Sequence, residues 1–128
     1  MNYYFSKTLQ ASHSEAIEKV SAALKTVGFG IVSEIKMHEK FKEKLGVDFK
    51  KYTILGACNP AYAYKVVQEE EKIGTMLPCN VVVIEKKNGA TEIAAINPVA
   101  SMMAVDNPAL EPFAKEVTET LKDLIEKL

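Results

Sequence analysis

Apolar residues recur along this chain in two rhythms, and the switches between them lay out the elements. Tyr3 to Leu9 suits a first strand. Ser12-His13-Ser14-Glu15 follows, a capping box in which a Ser and a Glu three residues apart satisfy each other's backbone N–H groups, so a helix begins there. Ile17, Val20, Leu24 and Val27 recur at helical spacing, and Gly28 supplies the left-handed stop. A second strand is predicted from Phe29, with Phe29, Ile31, Ile35 and Met37 at period two and Glu34 and Lys36 on the opposite face. His38 to Gly46 reads as a short helix that turns Phe41 and Leu45 inward.

The second half carries stronger punctuation. Tyr52 to Cys58 is a nearly apolar third strand, and it stops where Asn59 can cap a helix with Pro60 at its first position. That helix is expected to run to about Lys72, before Gly74. Asn80 to Lys87 and Thr91 to Asn97 are strands joined through Asn88-Gly89, a strong hairpin signal, which makes this part of the sheet antiparallel. A loop then holds Pro98, Ser101, Met102 and Met103, and Asn107-Pro108 opens a last helix striped by Leu110, Phe113, Val117, Leu121, Leu124 and Leu128. No repeat, linker or low-complexity tract interrupts the pattern. The expectation is one α+β domain over residues 1–128, a curved antiparallel sheet with its long helices on one face.

Composition narrows the function classes. The 128 residues include 16 basic and 17 acidic side chains, and every basic one is Lys. A net charge of −1 and the lack of Arg, whose planar fork serves phosphate and guanine recognition, argue against a nucleic-acid partner. The longest apolar runs, such as Val81-Val82-Val83-Ile84, fall far short of the roughly 20 residues of a membrane span, so no membrane partner is expected. The N-terminal residues lack the regions of a signal peptide, which with two cysteines leads to a cytoplasmic protein with reduced thiols.

Those cysteines supply the candidate chemistry. Each is followed by Asn and lies next to Pro: Cys58-Asn59-Pro60 and Pro78-Cys79-Asn80. A thiol just ahead of a helix start lies near free N–H groups and the positive end of the helix dipole, which favour thiolate. Gly56 and Ala57 leave room beside it for a ligand or another chain. Against this, free Cys often packs as a small hydrophobe. The separation of 21 residues (79 minus 58) matches neither the C-x-x-C redox motif nor a zinc set. Met76, Met102 and Met103 are soft donors that flank the same loops, yet Met fills core gaps readily and no metal is called for. Tyr62 and Tyr64 sit where they can line a pocket. His13 and His38 read as solvated. Phosphate-loop, dinucleotide, serine-hydrolase and zinc-hydrolase motifs are all missing.

The segments Gly56-Ala57-Cys58-Asn59-Pro60 and Leu77-Pro78-Cys79-Asn80-Val81-Val82-Val83, with the hairpin at Asn88-Gly89 and the closing helix, resemble the domain of unknown function 302 family over almost the whole chain. The resemblance implies a helix-grip, TATA-binding-protein-like sheet wrapped on a long helix, and a homodimer. It brings no established activity, and the cofactor is left open. Two classes of function stay open. One is a small-ligand-binding or sensing module in which Asn59, Pro60, Tyr62, Pro78, Asn80, Met102 and Met103 form the site. The other is a thiol enzyme, redox or sulfur-transferring, with Cys58 as nucleophile and Cys79 resolving or positioning. A structural homodimer module is the third reading.

Overall fold

The computed structural model describes residues 2–128. Five strands form one antiparallel sheet in the order β1-β5-β4-β3-β2: β1 Tyr4–Leu9, β2 Gly30–Lys36, β3 Tyr52–Cys58, β4 Cys79–Glu85 and β5 Thr91–Ile96. The first helix, α1 (His13–Thr26), lies across β2, β4 and β5, and the last helix, α5 (Glu111–Glu126), across β1 and β5. Between them come α2 (Met37–Leu45), α3 (Pro60–Glu69) and a single turn, α4 (Pro98–Ser101).

Local chemistry explains the punctuation. Ser12 and Glu15 make the capping box of α1 in both directions. At its other end Gly28 has φ +86, and the N–H groups of Gly28 and Phe29 donate to the carbonyls of Lys25 and Leu24. That is a Schellman stop, and it drops Phe29 into the core beside Leu24. Asn88 and Gly89 both have positive φ, and the Ala90 N–H closes the turn onto the Lys87 carbonyl. The hairpin therefore has the two left-handed residues its tight turn requires.

Alternation along the strands sorts the two faces. Thr53, Leu55 and Ala57 of β3, Val81 and Val83 of β4, and Ile93 and Ala95 of β5 are buried under Val20 and Leu24 of α1 and Val117, Leu121 and Ile125 of α5. At about 25 cal/mol per Å² of apolar surface removed from water, this layer is the dominant source of stability. The opposite face carries Tyr4, Tyr52, Ile54, Val82, Ile84, Ala94 and Ile96, all exposed or half-buried.

Several expectations need correction. The period-two reading of β2 breaks at a bulge between Ile31 and Ser33: Ile31 packs against the core, whereas Ile35 opposite Ile54 lies on the other face and is 42% exposed. An extra residue in a strand exchanges the faces of everything after it. Leu45, expected inward, is 70% exposed, because α2 packs at the end of the sheet and buries none of its residues. The helix after Cys58 stops at Glu69 and continues as a separate 3-10 segment, Glu71–Met76. The stretch expected as a loop from Pro98 contains α4, capped by Asn97. The last helix is entered through a 3-10 turn, Pro108–Leu110, capped by Asn107.

Candidate functional site

β3 ends where β4 begins, so the two Cys-Asn pairs meet at one end of the sheet. Cys79 pairs with Ala57 and Asn80 with Gly56 across the β3–β4 ladder, while Cys58 pairs with Gly30 of β2. Alternation puts the Cys79 side chain with Ala57 on the helix-covered face. Asn59 then leaves the sheet with extended backbone (φ −101, ψ 104), and its Oδ1 accepts from the N–H groups of Ala61 and Tyr62 at 3.1 and 3.3 Å. Pro60, in the first turn of α3, lacks the N–H that would have gone unpaired there.

This junction borders a half-open cavity of about 50 Å³. Cys58, Asn59, Tyr62, Pro78, Cys79 and Met102 border it, and Phe29, Val66, Phe113 and Val117 complete its apolar wall. Tyr62 of α3 meets Phe113 of α5 edge to face, ring centroids 6.3 Å apart, and its hydroxyl donates to Glu116 Oε1. That bond pushes the Tyr62 phenol up from its ordinary value. The Leu77–Pro78 peptide is cis.

Both thiols are free, and both are partly accessible. Burial, with the nearby Cys58 as a lesser cause, pushes the Cys79 thiol up to about 11. At neutral pH Cys79 is therefore a thiol, a small apolar wall rather than an ionised nucleophile. Among the described residues no group of three His, Cys, Asp or Glu side chains could hold a metal ion.

Not every expected residue comes to this place. Asn80 is exposed, and its partner Gly56 and alternation put it on the other face, beside Tyr3, Tyr52 and Val82. Pro60 is exposed, Met103 is 72% exposed beyond the α4 turn, and Tyr64 is 69% exposed two residues past Tyr62. Nor is there open room at Gly56: a β-carbon there would lie 2.2 Å from Ser33 Oγ and 2.7 Å from Pro78 Cγ. The glycine admits those two side chains rather than a ligand. Sequence reasoning missed Phe29, read there as the start of a strand, Phe113, read as a stripe position of the last helix, and Val66, because the cavity forms between elements distant in sequence.

The family is settled by comparison with known proteins. The model of the family described as Domain of unknown function DUF302 matches residues 5–128. This chain belongs to that family. A crystal structure titled uncharacterized conserved protein DUF302, from Bacillus stearothermophilus, superposes with a TM-score of 0.89 at 31% identity, covering 98% of each chain. An uncharacterized protein of Aquifex aeolicus (strain VF5) is 29% identical over 65 residues, 51% of this chain and 44% of that protein. This chain thus matches less than half the length of that relative. The DUF302 match supports the antiparallel α+β fold and brings no activity with it.

Proposed function

We propose that this DUF302 chain is a small-ligand-binding or sensing module whose site is the cavity where β3 passes into α3. The observation that carries the reading is the convergence of Cys58, Asn59, Tyr62, Pro78, Cys79 and Met102, from three separate stretches of chain, on one apolar space. Apolar hollows lined by a few placed polar groups are the usual form of ligand sites. At about 50 Å³ the space holds a group of only a few heavy atoms, well below the roughly 300–1,000 Å³ of drug-sized sites. No charged side chain borders it, so the group that enters is uncharged. The helix-grip description and a cytoplasmic, reducing location that keeps both thiols free belong to the same proposal. The thiol-enzyme reading would make Cys58 the reacting thiol, since Cys79 stays protonated.

A homodimer is a second, compatible reading. It is favoured by the outer sheet face, where Tyr3, Tyr4 and Ile35 are exposed next to half-buried Ile54, Val82 and Ile84.

The cavity is tested with xenon, which enters dry apolar cavities. Under xenon pressure, methyl resonances of Val66 and Val117 should shift, and Ala63→Leu, filling the space from α3, should abolish the shift. Uncharged compounds of a few heavy atoms that raise Tm should then lose their effect in Ala63→Leu. Xenon shifts that spare Val66 and Val117, or compounds that act equally on the variant, would sink the reading.

A further inference from the structure

β2 forms one edge of the sheet, and no strand lies beyond it. Val32, Ser33, Glu34, Ile35 and Lys36 are all exposed. An edge of this kind offers N–H and C=O groups to another strand. Which residues offer them follows from the register. The Lys51 carbonyl accepts the Glu85 N–H at 2.8 Å, so Lys51 turns its backbone groups toward β4. Tyr52 turns the other way, its N–H donating to His38 Nδ1 at 3.0 Å where α2 follows β2. This direction alternates residue by residue along an antiparallel strand. Ile54 and Gly56 therefore face β2, and their partners Ile35 and Ser33 face back. Glu34 and Lys36 are left with their backbone groups directed away from the sheet.

The usable edge is short. The bulge between Ile31 and Ser33 interrupts it on one side, and α2 takes over at Met37 on the other. Within it, an acidic and a basic side chain stand two residues apart. Ile35, between them, lies on the opposite face in a row that crosses the sheet through Ile54, Val82, Ala94 and Ser6. Lys36 Nζ is 4.0 Å from Glu39 with both side chains exposed, a weak pair that leaves the ammonium able to meet another carboxylate.

A second copy of this strand, antiparallel about a two-fold axis at Ile35, satisfies every one of these features. Glu34 then stands opposite the partner's Lys36, and Lys36 opposite the partner's Glu34, each pair with its backbones directed at one another. Ile35 meets its own copy at a non-hydrogen-bonded position, where Cα atoms lie about 4.5 Å apart and side chains touch. An axis at Glu34 or at Lys36 would set like charges opposite each other, and an axis between two residues would set outward groups against inward ones. The other edge has no such code. The Asn97 N–H donates to the Tyr3 carbonyl, so Tyr4, Ser6 and Thr8 of β1 face outward, and none of them carries a charge to fix a register.

We propose that two copies of this chain join β2 to β2 about Ile35, forming one continuous sheet whose register is set by the Glu34–Lys36 pairs. The proposal rests on the homodimer reading and places its contact at the β2 edge, with the outer faces of the two copies side by side. A two-fold contact uses the same edge of both copies and closes, so assembly stops at the dimer.

Sedimentation equilibrium of the intact chain over the micromolar range measures the association. The wild type should dimerise. Glu34→Lys, which sets Lys against Lys twice in each dimer, should weaken the dimer about tenfold or more, and Glu34→Lys combined with Lys36→Glu should recover most of the loss. A wild type that stays monomeric throughout would overturn the homodimer reading and the proposal together. A dimer that Glu34→Lys leaves intact, or that the double swap fails to restore, overturns the β2 contact alone. Cross-linking reads the register independently. Ile35→Cys, oxidised by glutathione disulfide, should bond to its own copy at least about tenfold faster than Val32→Cys, whose counterpart this register carries out of disulfide reach. Equal rates at the two positions, or faster bonding at Val32→Cys, would overturn it.

Discussion

The two ends of the β3–β4 pair share one antiparallel register but are closed by different materials. At the end where β3 passes into α3, the closure is apolar: side chains surround a cavity, and the polar groups present serve to cap a helix. At the other end it is polar, with Tyr52, Thr53 and Val83 all bonded to the imidazoles of His13 and His38. Apolar closure tolerates a small vacancy, because a void costs only lost contacts. Polar closure tolerates no orphan, since an unpaired buried N–H or C=O costs about 1–3 kcal/mol. Accordingly, among the described residues, no buried side-chain polar atom lacks a partner. The first end can leave a hollow among its side chains; the second has to give each polar group a partner.

That contrast can be broken most severely at Gly56. Gly56→Val pushes a side chain into Ser33 Oγ and Pro78 Cγ, and overpacking of this kind costs about 3 kcal/mol. Urea unfolding should show the loss, and Ser33→Gly should restore part of it but not all, because the Pro78 ring stays. The next effect belongs to Cys79. Its folded value of about 11 exceeds the ordinary thiol value of 9.0, so the unfolded chain loses the proton first as pH rises. Stability from this group is complete below about pH 9 and falls on the order of 2 kcal/mol by about pH 11. Cys79→Ala should flatten that alkaline limb.

Asn59→Ala removes the cap of α3 and should cost about 1 kcal/mol, with Tm lowered by several degrees. It should also slow alkylation of Cys58, which sits just before the helix terminus. The smallest effect is at the polar end. Burial is the first cause that lowers the His13 value below its ordinary 6.5; His38 and Lys51 add to it, and the Val83 carbonyl and Glu85 oppose it. The unfolded chain therefore takes up the proton first as pH falls. Stability present above about 6.5 is lost as pH drops from there toward the folded value. His13→Gln should remove this dependence while keeping a donor toward Val83, and unfolding curves at pH 7.5 and 5.5 measure it.

What was legible in the sequence was local. The Ser12–Glu15 box, the Asn59-Pro60 start and the Asn88-Gly89 turn each depend on backbone groups within three residues, and each forms as its residues require. The meeting of Cys58 and Cys79 followed from the strand ends alone. What escaped depends on partners far along the chain. Val32, 64% exposed at the bulge, gives no local sign of interrupting β2. Tyr62 and Glu116 are 54 residues apart. His13 and His38, read as solvated, are half-buried and bonded to strands that only the sheet register brings beside them.

Residue-resolved alkylation of the folded chain with iodoacetamide at pH 7 tests the account of the cavity end most directly. Cys79, held as a thiol within the wall, should resist until the protein unfolds, while Cys58 at the strand end is modified at least about tenfold faster. Equal rates, or faster modification of Cys79, would contradict a Cys79 held as a thiol in the cavity wall.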